Sequence, residues 1–152
     1  MQASLRSQRQ RGAVIITVAL VMLFLLGFMG FALDLGRLFV VRGELETAVD
    51  SCALAAAAEL DGQSDAMTRA TNAGITAGNS NRVNLQSANW DDKGQLVAAD
   101  IHFLNSSLLA ASMTTEAIYA ECTHTQPGVR MWLLQAMGAF MGDTSAYAST
   151  QN

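Results

Sequence analysis

The chain has 152 residues, 51% of them hydrophobic, and a formal net charge of −4, which allows one membrane segment and at most one small further domain. The charge is unevenly spread: Arg6, Arg9 and Arg11 come first with no acid among them, and from Asp34 onward thirteen acids face six bases. That acidic remainder argues against nucleic acid or an anionic lipid surface as its partner, because both select a basic patch.

Residues 1–12 form a basic tail, and residues 13–33 form the membrane helix. From Ala13 to Leu33 there is no charge, and Thr17 is the only polar side chain. About twenty residues at 1.5 Å rise cross a hydrocarbon layer of roughly 30 Å. An export signal has an apolar core of only about 7–15 residues and ends in a small-residue cleavage box. This run is longer and ends in Phe31-Ala32-Leu33-Asp34, so it reads as a retained anchor in contact with membrane lipid. The short Arg-rich tail should stay in the cytoplasm and leave the C-terminal part outside. Arg37 and Arg42 follow the span, accompanied by Asp34, Glu44 and Glu46.

No proline occurs before Pro127, so the membrane helix is free to continue outward. Leu38, Val41, Leu45, Ala48, Cys52, Ala55, Ala56 and Leu60 recur at helical spacing, and Asp61-Gly62 reads as the stop. Ser64 is then placed to cap a second helix over 65–77, with Gly78-Asn79-Ser80-Asn81 as its exit. Ala32, Gly36 and Gly43 share a stripe at the membrane exit. Small residues there either admit a second helix at close range or merely loosen the boundary; the pattern leaves both open.

After Asn81 the period changes to two. Strands are expected at Val83–Trp90 and Gln95–Leu104 around the turn sequence Asp91-Asp92-Lys93-Gly94, and at Ala117–Thr123. Thr125 and Pro127 then resemble a helix start. Val129, Trp132, Leu133, Ala136, Met137, Phe140 and Met141 make one apolar stripe up to Gly142, and Ser145–Thr150 is a closing strand. The sum is an α+β chain: one long helix, a small antiparallel sheet and a C-terminal amphipathic helix. Its divisions are 1–12, 13–33, a helical region 34–80 and a small α+β region 81–152.

Arg11-Gly12-Ala13, the apolar run, Asp34-Leu35-Gly36-Arg37 and then Glu44-Leu45-Glu46-Thr47-Ala48-Val49-Asp50-Ser51-Cys52-Ala53-Leu54-Ala55-Ala56-Ala57 together resemble the TadE/TadG-like family of Flp-type (Tad) pilus assembly. The resemblance is strong over residues 10–60. Ser51-Cys52 stands where alanines are commoner in the family. The resemblance implies a single-pass protein of the bacterial inner membrane with a periplasmic, pilin-like domain. It further implies partners among other Tad subunits or pilins. Arg11, Gly12, Asp34, Gly36, Arg37 and Asp50 are its candidate contact residues, with Ala32, Gly36 and Gly43 as helix-packing candidates. Asp34 and Arg37 either pair at i,i+3 and set the depth of the helix, or meet a partner's transmembrane helix. Larger relatives carry a metal-binding von Willebrand A domain, but Asp143-Thr144-Ser145-Ala146-Tyr147 breaks the Asp-x-Ser-x-Ser pattern. A type IV prepilin would have glutamate at the fifth position after the cleavage glycine; counting from Gly12, that position is Thr17, so processing there is not expected.

No catalytic set emerges. His102 and His124 do not form a ligand pair, Cys122-Thr123-His124 has no second pair for zinc, and no phosphate loop or serine nucleophile motif occurs. The expectation is a non-enzymatic protein with no cofactor, metal, nucleic acid or small-molecule substrate. The competing reading is a single-pass sensor with a ligand-binding outer domain. It would want a cytoplasmic output module, and only eleven residues precede Gly12. Cys52 and Cys122, in an oxidising compartment, are either a disulfide or two small buried thiols.

Overall fold

The computed structural model describes residues 6–133 and 147–151. Helix α1 spans Arg6–Ala58, 53 residues without a break and about 80 Å long at 1.5 Å per residue. Its two halves live in different surroundings. Residues 13–26 are exposed throughout, and the hydroxyl of Thr17 is turned back onto the Ala13 carbonyl at 2.9 Å. From Gly30 onward one face is buried through Asp34, Val41, Leu45, Ala48, Val49, Cys52 and Ala56. Among the described residues α1 is the one helix long and apolar enough to cross a membrane.

The helix stops where expected. Glu59 and Leu60 turn their amides back onto the carbonyls of Ala56 and Ala57, and Gly62 takes φ +76°, a conformation that costs glycine little. Helix α2, Ala66–Asn79, then runs back along α1. Ser64 is not its cap: Asp65 holds that position, and its carboxylate pairs with Arg69 instead of a helix amide. Arg69 also reaches Glu59 Oε2 at 3.1 Å and Asp61 Oδ2 at 2.6 Å. The Asp61 carboxyl is held below the usual carboxylate range, first by the Gln63 amide and then by Arg69. Its contribution to stability is therefore present above the ordinary aspartate pKa and is lost as pH falls through the lowered one.

The buried residues of α2 are Ala66, Ala70, Gly74 and Gly78, each four apart. They face Ala48, Cys52 and Ala56 of α1, also four apart and fully buried. Small residues on both sides let the backbones close up. A Cβ built on Gly74 would lie 3.2 Å from the Cys52 carbonyl oxygen, and one on Gly78 3.2 Å from that of Ala48.

Among the described residues, two two-stranded antiparallel sheets follow α2. Strand β1, Ile101–Leu104, pairs with β2, Tyr119–Cys122, in the register Ile101–Cys122 to Leu104–Tyr119. Cys122 is joined to Cys52 by a disulfide, with Cα atoms 6.2 Å apart, which ties β2 to α1. Strand β3, Thr125–Arg130, pairs with β4, Tyr147–Gln151. The expected helix start at Thr125 and Pro127 is thus a strand. Proline without an N–H and Gly128 at φ +70° make an irregularity between Gln126 and Val129 in the ladder. Trp132 and Leu133 are helical; the rest of the expected C-terminal helix, to Gly142, lies outside the described residues.

The strand expected at 83–90 is absent, and that at 95–104 is reduced to β1, preceded by a 3-10 turn over Ala98–Asp100. Asn84, Leu85 and Gln86 instead take φ values of 61–63°, a left-handed turn that costs non-glycine residues roughly 1–2 kcal/mol each. Glu44 on α1 holds this turn. Its carboxylate accepts from the Leu85 amide at 2.7 Å, the Gln86 amide at 3.1 Å and Gln86 Nε2 at 2.9 Å. Replacing Glu44 by alanine is expected to cost about 2 kcal/mol, the worth of charge-assisted bonds at a partly exposed site. Urea unfolding measures the loss, and faster hydrogen exchange at Leu85 and Gln86 localises it. Around this turn the core closes on Trp90, which is fully buried. Its Nε1–H donates to Asn81 O at 3.0 Å, and Gln126 Nε2 donates to Trp90 O at 3.1 Å. Asn79 serves Leu96 like a neighbouring strand, with bonds of 2.9 and 3.0 Å to its N–H and C=O.

Candidate functional site

The bare half of α1 gives way to the wrapped half at Gly30–Arg37, and here the chain's C-terminal part returns to the helix. Asp34 is only 6% exposed. Its Oδ2 accepts the backbone N–H of Leu133 at 2.9 Å, an amide in the first turn of the helical segment that begins at Trp132. Asp34 thus caps that segment from a different part of the chain. One turn below it Gly30 is buried, and a Cβ there would collide with the Leu133 side chain. One turn above, the Arg37 guanidinium lies over the Trp132 ring at 5.8 Å, within the range of a cation–π contact. Asp34 and Arg37 therefore hold two adjacent residues, Leu133 and Trp132, that lie 99 and 95 positions further along the chain.

The other candidate residues lie elsewhere on α1. Ala32, Gly36 and Gly43 are exposed, and among the described residues no atom outside the adjoining helix backbone comes within 4 Å of a Cβ added at Gly36 or Gly43. Above Gly43 the exposed hydroxyls of Thr47 and Ser51 bond back to the carbonyls of Gly43 and Thr47, which keeps this side of the helix low in relief. Asp50 is exposed further along. Arg11 and Gly12 belong to the first turns of α1. Cys52 and Cys122 sit in the core between α1, α2 and β2.

Polar chemistry elsewhere is structural in character. His124 Nδ1 stands 3.0 Å from Asp100 Oδ2, and its ring meets Trp90 edge-on at 5.4 Å. Among the described residues no group of three or more His, Cys, Asp or Glu side chains is placed to hold a metal ion. An open polar groove of about 340 Å³ beside Glu44 is lined by Thr47, Ser80, Asn81, Arg82 and Gln86.

Residues 12–59 match the Tad family model, Putative Flp pilus-assembly TadE/G-like. The TadE/G-like segment ends one residue past α1 and covers less than half of the chain. Within it lie Gly30, Asp34, Gly36, Arg37, Gly43, Glu44, Asp50 and Cys52, whereas α2 and both sheets fall outside. Neither the curated proteins nor the solved structures contain a match to the chain. The likeness to the pilus-assembly family is thus a likeness of the helix α1 segment.

Reading the sequence missed three members of the site: Gly30, Trp132 and Leu133. Gly30 precedes Asp34 by one helical turn, which marks it as the same face once Asp34 is known to be buried. Trp132 and Leu133 carry no comparable signal, because an apolar stripe reads the same whether it covers a core or a neighbouring helix.

Proposed function

We propose that this protein is a membrane-anchored, non-enzymatic accessory component of Flp-type pilus assembly, built like a minor pilin. Residues 1–12 lie in the cytoplasm, 13–33 cross the inner membrane, and the helical region 34–80 with the α+β region 81–152 stands in the periplasm. Its head scaffolds or guides pilin, and its partners are other Tad assembly subunits or pilins. No small-molecule substrate enters this role. Contact is made through the open side of α1 at Ala32, Gly36 and Gly43, with Asp50 further out and Arg11-Gly12 on the cytoplasmic side. The observation that carries the reading is that the TadE/G-like match coincides with α1, a helix bare and apolar along one half and wrapped by a folded head along the other.

Reporter fusions test the orientation set by Arg6, Arg9 and Arg11. A C-terminal alkaline phosphatase should be active and a C-terminal cytosolic fluorophore dark; the reverse pattern defeats the periplasmic placement. Deleting the gene should remove surface pili, and the wild-type copy should restore them. Normal piliation of the deletion strain would remove the protein from assembly.

A further inference from the structure

We propose that Trp132 and Leu133 form a second membrane attachment, a contact with the outer surface of the bilayer that Asp34 positions. The proposal rests on the reading of residues 13–33 as the span, and it follows from depth along α1. The last uncharged residue of the apolar run is Leu33, which is exposed and marks the edge of the hydrocarbon. Arg37 is four residues further, about 6 Å up the helix axis. That is the thickness of the headgroup layer, since a bilayer of roughly 40–45 Å has a hydrocarbon core of about 30 Å. Trp132 lies under the Arg37 guanidinium at this height and is 65% exposed. An exposed tryptophan in that layer is the residue membranes select there, because its ring is apolar and its N–H is wet.

Leu133 reaches lower. Its side chain packs on Gly30, inside the apolar run, so it enters the hydrocarbon edge beside the helix. A backbone N–H brought to that depth needs a partner, because lipid offers none. The Asp34 carboxylate supplies it at 2.9 Å. A side chain at position 30 would hold Leu133 off the helix. Neutral zwitterionic lipid is the partner this chemistry fits, because the head outside the span is acidic on balance.

The test uses the full chain in phosphatidylcholine vesicles whose acyl chains carry bromine either near the headgroup or near the bilayer centre. The chain has two tryptophans, and Trp90 is fully buried. The difference between wild type and Trp132→Phe therefore isolates the Trp132 emission without disturbing Trp90, whose residual emission reports that the head is folded. Trp132 should lose most of its emission to shallow bromines, little to deep ones and little to aqueous iodide. Asp34→Ala should abolish the shallow quenching and expose the ring to iodide, while Asp34→Asn, which keeps an acceptor, should retain the wild-type pattern. Quenching by iodide alone would overturn the proposal, as would protection from both quenchers, which would mean that protein covers the ring. Unchanged shallow quenching in Asp34→Ala would overturn it too. Phe24→Trp in the Trp132→Phe background, at an exposed position in the middle of the run, separates the two readings. If deep bromines quench that tryptophan and shallow ones spare Trp132, the second attachment fails and the anchor stands. If neither bromolipid quenches it, the anchor itself fails.

Discussion

Removing the Cys52–Cys122 bond lowers the unfolding free energy by about 2–4 kcal/mol, the range for a disulfide closing a long loop. The residues are 70 apart in sequence, so the bond withdraws a large set of conformations from the unfolded chain. It is also the covalent link between α1 and the β1–β2 sheet, which otherwise meets the helix through few fully buried side chains. Cys52→Ala with Cys122→Ala is the variant of choice, because alanine at 52 continues the series Ala48, Cys52, Ala56 that faces α2. Urea unfolding in detergent micelles, with and without reductant, measures the effect: the double variant and the reduced wild type should share one lowered midpoint. A bond of this kind persists in an oxidising compartment, which ties the result to the proposed periplasmic placement of the head. Two titratable thiols per chain in unreduced, denatured protein taken from membranes would sink the prediction.

The second large effect separates two glycines of the same type. Gly78→Ala is expected to destabilise by about 1–3 kcal/mol, the cost of forcing an extra carbon into a packed site. The added Cβ would strike Leu96 and stand 3.1 Å from Cys52 Cβ and 3.2 Å from the Ala48 carbonyl oxygen. Leu96 can rotate away, but the α1 backbone cannot. Among the described residues Gly43→Ala meets no atom of a neighbouring element within 4 Å, so the isolated protein should gain up to about 1 kcal/mol from helix propensity. The same substitution narrows the gap that an incoming helix would use, so it should raise the melting temperature and reduce piliation. A drop in both would mean that Gly43 serves the fold and not a partner.

Which features were legible in the sequence follows from how local their causes are. Helix α1 is legible from Ala13 to its end, through unbroken apolar and alanine-rich segments, no proline and a stop at Asp61-Gly62, whereas its first turns from Arg6 lie in the segment read as a tail. Strand β2 is legible from alternation, and the closing strand expected at Ser145–Thr150 is met by β4, Tyr147–Gln151. The segment 83–90 is not, because its left-handed turn is imposed by Glu44, 41 residues upstream of Leu85. Pro127 misleads for a related reason. In the first turn of a helix and at an irregularity in a ladder it is tolerated on the same ground, the missing N–H. Only the partner strand, Tyr147–Gln151, decides between them. At the site, Asp34 and Arg37 were readable as boundary residues, whereas their contacts with Leu133 and Trp132 depend on where the C-terminal part returns to the helix.

The central proposal is that the open side of α1 is a docking surface for the pilus-assembly machinery. A photo-activated cross-linking residue placed at Gly36 in living, piliated cells tests it most directly, since among the described residues no neighbouring element approaches that position. Irradiation should yield a discrete adduct between this protein and another Flp pilus-assembly subunit or pilin, weakened by Gly43→Ala. Recovery of the uncoupled chain alone, from cells that assemble normal pili, would contradict the account.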